Sequence, residues 1–268
     1  MPRFAANLST LFTELPLLQR FGAAAAAGFE AVEMQDPFSE RAPLIAEQLQ
    51  LHQLQLVLFN SPLGTRPGDR GLAALPGREL DFWRTFETAL DYARVLECPR
   101  IRVVCGHVGA MNRDAMEAVL IANLKRAARL AAASGISLLL EPLNPQDVPG
   151  YLLANTDSAL TILDRVGHPN VRLQLDLYHC YMSEGDLGGH ARRLLGRYDH
   201  VQFSNAPGRH EPGTGEIHYP YLFTLLDRLG YDGWVGCEYF PSSTTLASLA
   251  WAREWGIGSQ PTKAPRRR

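Results

Sequence analysis

The chain has 268 residues, 46% of them hydrophobic, and a formal net charge of −2. That length suits one large domain or two small ones, with ample apolar material for a core. The near-neutral charge argues against a general nucleic-acid binder or a membrane-surface protein, and no apolar run approaches the roughly 18 residues that span a bilayer. The opening Met1-Pro-Arg-Phe-Ala-Ala-Asn7 has no signal-peptide layout, so a cytoplasmic location is expected. Cys98, Cys105, Cys180 and Cys237 form no Cys-x-x-Cys pair. They read as small buried or semi-buried thiols of a reducing compartment, with Cys105 and Cys237 in strands.

Along the chain, strand and helix signals alternate. A strand at 3–8 precedes an Ala-rich helix at 15–27, which stops at Gly28, a natural C-terminal cap. A strand at 31–34 leads to a helix at 43–51. A strand at 55–60 leads to a helix at 80–96, with Phe82, Phe86, Leu90 and Ala93 on one face. A strand at 100–105 precedes a long helix at 113–134, and a strand at 137–143 precedes a helix at 156–166 capped by Thr156-Asp157. Strands at 171–178, 200–205 and 234–239 follow, with helices at 189–197, 219–229 and 246–255. Eight such alternations imply parallel pairing with right-handed crossovers. The expected fold is a single (β/α)8 TIM barrel over residues 1–258. A doubly wound sheet would want a Gly-rich phosphate loop after the first strand, and none is present. Residues 259–268 are polar, end in three arginines, and read as a disordered tail.

Four polar residues interrupt the last hydrophobic runs. They are Glu141, Asp176, Gln202 and Glu238, one per successive strand. A carboxylate among apolar residues is costly unless paired or bound to a cation. Glu141, Asp176 and Glu238 come late in their expected strands and Gln202 early in a short one. In such barrels chemistry gathers at the carboxyl ends of strands. Three carboxylates and an amide oxygen form a hard, all-oxygen ligand set, which favours Mg2+ or Mn2+ over Zn2+. His179, three residues beyond Asp176 in the expected loop, reads as a contact to substrate rather than metal.

Two loops are shaped by proline and glycine. Residues 205–217 carry Arg209, His210, Glu211 and Glu216. An arginine there matches a substrate carboxylate bidentately. Residues 60–71 carry Arg66 and Arg70 and are candidates to close over substrate. Trp251 and Trp255 suit either an interface or the packing of the last helix onto the barrel, which leaves a homo-oligomer open.

Six segments together carry a family resemblance. They are Arg3-Phe-Ala-Ala-Asn-Leu-Ser9, Gly71-Leu-Ala-Ala-Leu-Pro-Gly-Arg-Glu79, Leu140-Glu-Pro-Leu-Asn144, Asp176-Leu-Tyr-His179, Glu211-Pro-Gly-Thr-Gly-Glu-Ile217 and Gly233-Trp-Val-Gly-Cys-Glu-Tyr239. The chain resembles the hydroxypyruvate isomerase family, within the xylose-isomerase-like barrels, from its first strand to about Trp255. The resemblance implies a divalent cation on Glu141, Asp176, Gln202 and Glu238, with Glu141 and Glu238 as the acid/base pair. Asn60, His179, Arg209 and Glu211 are the expected substrate contacts. The implied reaction is the interconversion of hydroxypyruvate and tartronate semialdehyde through an enediolate. A 2-oxo-tetronate isomerase, a ketose 3-epimerase and an inactive sugar-acid-binding barrel are the alternatives. Related 3-epimerases place a His where Gln202 stands, which favours the isomerase branch. Endonuclease-IV-like relatives assemble three zinc ions with many more histidines. One departure is Phe59, before Asn60, where some isomerase relatives carry a His; it predicts a more apolar pocket.

Overall fold

A computed structural model describes residues 2–258. The expected tail at 259–268 lies outside the described residues. Eight parallel strands close in sequence order, β1 through β8, with β8 pairing back onto β1. They are β1 (Arg3–Asn7), β2 (Ala31–Met34), β3 (Gln55–Asn60), β4 (Arg100–Arg102), β5 (Ser137–Leu140), β6 (Val171–Asp176), β7 (Tyr198–Phe203) and β8 (Trp234–Cys237). The helices are α1 (Leu17–Ala26), α2 (Ala42–Leu51), α3 (Glu79–Val95), α4 (Arg113–Ala132), α5 (Thr156–Val166), α6 (Leu177–Ser183), α7 (Leu187–Arg193), α8 (Tyr219–Arg228) and α9 (Thr245–Ser248), the last continuing as a 3-10 helix to Trp255. The (β/α)8 barrel expected from the alternation is the fold observed.

Several strands stop sooner than their apolar runs suggest. β4 ends at Arg102, so Cys105 lies beyond it rather than in a strand. β5 ends before Glu141 and Pro142. β6 ends at Asp176, whose side chain accepts the His179 backbone N–H at 2.9 Å and so caps α6. That cap places His179 in a short helix instead of a loop. β7 begins at Tyr198, two residues early, which makes Gln202 the fifth of six residues and puts it near the carboxyl end with the others. The cap of α5 is Asn155, not Thr156-Asp157.

The two faces of each strand are filled differently. Residues pointing outward join the helices in one large apolar layer. Phe4, Phe203, Phe223, Trp251 and Trp255 cluster there at ring distances of 5.0–6.2 Å. The two tryptophans therefore pack the last helix onto the barrel. All four cysteines are buried and free. Facing inward, Ala5, Ala31, Val57 and Trp234 form a small apolar floor. Above the floor the interior is polar. No helix among the described residues is long and apolar enough to cross a membrane.

Candidate active site

Register brings the polar strand ends together. Asp176 pairs with Gln202 across β6–β7, and Gln202 with Gly236 across β7–β8. Glu141 and Glu238 follow the last residues of β5 and β8. All four lie at one rim and are almost wholly buried, at 2% exposure for Glu141 and Asp176, 3% for Gln202 and 6% for Glu238. Oxygens of Glu141 and Asp176 and a ring nitrogen of His179 lie within 4.8 Å of one another.

Each carboxylate has its own partners. Glu141 pairs with the Arg102 guanidinium. Glu238 accepts from Gln35 Nε2 at 2.8 Å, Asn7 Nδ2 at 3.2 Å and Arg209 Nη2 at 3.2 Å. Glu141 Oε1 and Asp176 Oδ2 are buried with no hydrogen-bond partner among the described residues. Burial pushes the Glu141 carboxyl up to about 8; Arg102 pulls it down, while Glu238 and Asp176 push it further up. Asp176 and Glu238 are raised for the same first reason, burial, with Arg209 the leading opposing charge. Burial also works against the charge on Arg209, but Glu238, Asp176 and Glu141 outweigh it and hold the guanidinium protonated.

His179 has a fixed tautomer. Its Nδ1 accepts the backbone N–H of Asn144 at 3.2 Å and lies 2.8 Å from Asn144 Nδ2. Burial, and then Arg209, lower its pKa to about 3, so the ring is neutral. A neutral imidazole carries one proton, and with Nδ1 accepting it sits on Nε2. His179 therefore presents an N–H donor to the carboxylate rim and has no lone pair left there for a metal.

Below the rim lies Glu33, in β2 and fully buried. It accepts from Gln202 Nε2 at 2.6 Å and Asn7 Nδ2 at 3.0 Å, and meets His200 Nε2 at 2.6 Å. The Gln202 oxygen accepts from Gln174.

Among the expected substrate contacts, Arg209 reaches the site. It stands at a left-handed φ of 55°, unusual for a side chain other than Gly, Asn or Asp, and its guanidinium lies over Tyr178 at 4.9 Å. Asn60 pairs in register with Arg102 and shares its inward face. Glu211 does not join them. Both its oxygens are taken by Ser242, from the backbone N–H at 2.9 Å and the hydroxyl at 2.5 Å, tying the β7 loop to the β8 loop. Phe59 points the other way too, packing edge-on against Phe38 at 6.0 Å in the outer layer, so it does not make the pocket apolar. Loop 60–71 is a turn pinned by Asp69, which accepts from Thr65, Arg66 and Arg78. Arg66 is exposed, at 4.0 Å from Asp81.

Other features compete poorly. Hollows of about 960 and 590 Å³ open at the amino-terminal mouth, where Arg100 pairs with Asp199 at 3.0 Å and Arg3 lies over the Trp234 ring. Cys180, Glu184 and His190 also converge. There, however, Glu184 caps Thr156 through both oxygens, and Arg193 donates to His190 Nδ1 at 3.1 Å.

A family model described as a xylose isomerase-like TIM barrel matches residues 21–255. The chain belongs to that family. It is 46% identical over 257 residues to the 2-oxo-tetronate isomerase of Cupriavidus necator, covering 95% of this chain and 99% of the relative. It is 40% identical over 253 residues to the hydroxypyruvate isomerase of Escherichia coli, covering 94% and 98%. A crystal structure from Brucella melitensis described as an AP endonuclease, family 2, superposes with a TM-score of 0.93 at 45% identity, covering 95% and 99%. The chain is thus an isomerase of the xylose isomerase-like family.

Several polar groups of this xylose isomerase-like site escaped the sequence reading: the buried Asn7, Glu33, Arg102 and Asn144, and the more exposed Gln35 that donates to Glu238. Glu33 in Ala31-Val-Glu-Met34 and Arg102 in Arg100-Ile-Arg102 carry the signal that marked Glu141, a charge inside an apolar strand. Asn7 and Asn144 are too ordinary as residue types to stand out without coordinates.

Proposed function

We propose that the chain is a metal-dependent isomerase of a short oxo acid, interconverting hydroxypyruvate and tartronate semialdehyde, with the one-carbon-longer 2-oxo-tetronate as the second candidate substrate. The observation that carries this reading is the convergence of Glu141, Asp176 and Glu238 with two arginines, Arg102 and Arg209, at a single rim. The second substrate is favoured by relatives named 2-oxo-tetronate isomerase at 46% and 44% identity.

The residues fit a hard divalent cation, Mg2+ or Mn2+. Glu141 and Asp176 each offer a buried oxygen without another partner. Gln202 and Glu238 would offer theirs in exchange for bonds from Gln174 and from Gln35 or Arg209. His179, with its proton on Nε2, is outside that set. When bound, such a cation supplies Lewis-acid polarisation of the substrate carbonyl. The chain's own residues do the rest. Arg209 grips the substrate carboxylate with its planar fork. His179 Nε2–H donates to a substrate oxygen. Glu141 and Glu238, just past the ends of strands separated by two others, take a proton from one carbon and return one to its neighbour.

Proton NMR of the metal-replete protein in D2O, with each acid in turn and a chelated control, tests the reading. Solvent deuterium at carbon in the product, only with metal, is the expected result, and the faster acid is the substrate. Turnover that survives exhaustive chelation removes the metal. No exchange with either acid removes both substrates.

A further inference from the structure

Glu33 is fully buried inside the barrel, at 0% exposure. Gly236 faces it from β8, and a Cβ at that position would overlap the Glu33 carboxylate. It collects three neighbours from two other strands: Asn7 in β1, and His200 and Gln202 in β7. A carboxylate only accepts hydrogen bonds, whereas a glutamine amide has a donor end and an acceptor end. Glu33 therefore compels Gln202 to turn its N–H inward and its oxygen away, to where Gln174 donates to it. Through Asn7, whose Nδ2 reaches both Glu33 at 3.0 Å and Glu238 at 3.2 Å, it also braces a second rim residue.

We propose that Glu33 is a positioning residue, which fixes the orientation of the Gln202 amide and holds Asn7 against Glu238. This rests on the reading of the rim as a divalent-cation site and names the part of the chain that presets it. Glu33 touches neither substrate nor cation. It acts by leaving one donor–acceptor pattern open to the residues above it, as partners behind a ligand shell do.

The test is Mn2+ titration, followed by calorimetry, of wild type, Glu33→Gln, Gln202→Leu and the double variant, with melting temperatures measured alongside. Glu33→Gln keeps the shape but lets the facing amide turn either way. Its Mn2+ affinity is expected to fall about 10–100-fold, and the loss in the double variant is expected to fall well short of the combined single losses, because part of the Glu33 effect passes through Gln202. Unchanged affinity in Glu33→Gln, or losses that add in the double variant, overturns the proposal while leaving the metal reading intact. A wild-type chain that holds no Mn2+ overturns the metal reading and this inference with it. Should Glu33→Gln fail to fold, Asn7→Ala removes the brace to Glu238, together with the Asn7 bonds to Glu33 and the Ser9 backbone N–H, and leaves the Glu33–Gln202 bond in place. A fall in kcat at saturating Mn2+ supports the proposal, and unchanged kcat and Mn2+ affinity overturn it.

Discussion

Alternate residues of the same strands build two very different interiors. The outer layer, between strands and helices, is apolar and aromatic, with Phe4, Phe203 and Phe223 meeting Trp251 and Trp255. The inner filling above the floor holds Asn7, Glu33, Arg102, Gln174, Asp176, His200, Gln202 and Glu238, each no more than 9% exposed. Burying that many polar and charged groups would destabilise a small domain. The outer layer supplies the cohesion, so the inner one is free to hold charges in arrangements suited to chemistry rather than to stability.

The comparison breaks most sharply at the acid/base pair. Glu141→Gln and Glu238→Gln are each expected to lose about 10²–10⁴-fold in turnover, with only a small change in melting temperature, since relief of repulsion among the three carboxylates offsets the lost partner of Arg102 or Arg209. Steady-state rates and thermal melts on the same samples check this. A parallel loss of stability would mean that the inner charges support the fold. The converse change is Phe223→Ala in the outer layer. It is expected to cost about 3–5 kcal/mol of stability by denaturant titration, with turnover per folded molecule little altered.

Stability against pH sharpens the same contrast. Glu141 is raised in the folded chain from an ordinary 4.5 to about 8, and Asp176 and Glu238 are raised as well. Their contribution is fully present below the unfolded values and is lost as pH rises through the folded ones. His179, lowered from 6.5 to about 3, contributes fully above 6.5 and loses that contribution as pH falls. From about pH 6.5 to 8, then, the carboxylates dominate, and the chelated chain is expected to weaken as pH rises. Mn2+ should restore more stability at the upper end. A flat profile in chelator would show that neighbouring cations already balance the rim.

Smaller effects test the two loops. Arg209→Lys keeps the charge but loses the fork, so KM for the acid should rise more than kcat falls. Glu211→Ala should cost only about 1 kcal/mol in lost hydrogen bonds to Ser242, with modest kinetic change. A large rise in KM there would restore Glu211 as a substrate contact.

The sequence made the barrel and its rim legible for a common reason. Strand alternation and a charge inside an apolar run are local patterns, and Glu141, Asp176, Gln202 and Glu238 each announced themselves within a few residues. What stayed hidden depends on distant pairings. Glu211 looked like a binding residue until Ser242, 31 positions away, was placed against it. Asn144 ends a segment that carries the family resemblance, yet nothing local shows that it decides which nitrogen of His179 carries the proton. Glu33 showed the same local pattern as Glu141 and was still passed over, because its strand lies in the half of the chain without the other rim residues.

The pairing of β2 with β3 slips by one residue between Val32 and Glu33, leaving Val57 without a partner. Had the register continued unshifted, Glu33 would stand beside Val57, and Phe59 would take the inner face while Asn60 turned toward the helices. That slip works like a spatial frameshift, since every residue after it swaps sides. An insertion or deletion of one residue upstream in β3 would therefore exchange an amide for a phenyl ring at the mouth of the barrel, without altering a single residue that faces it.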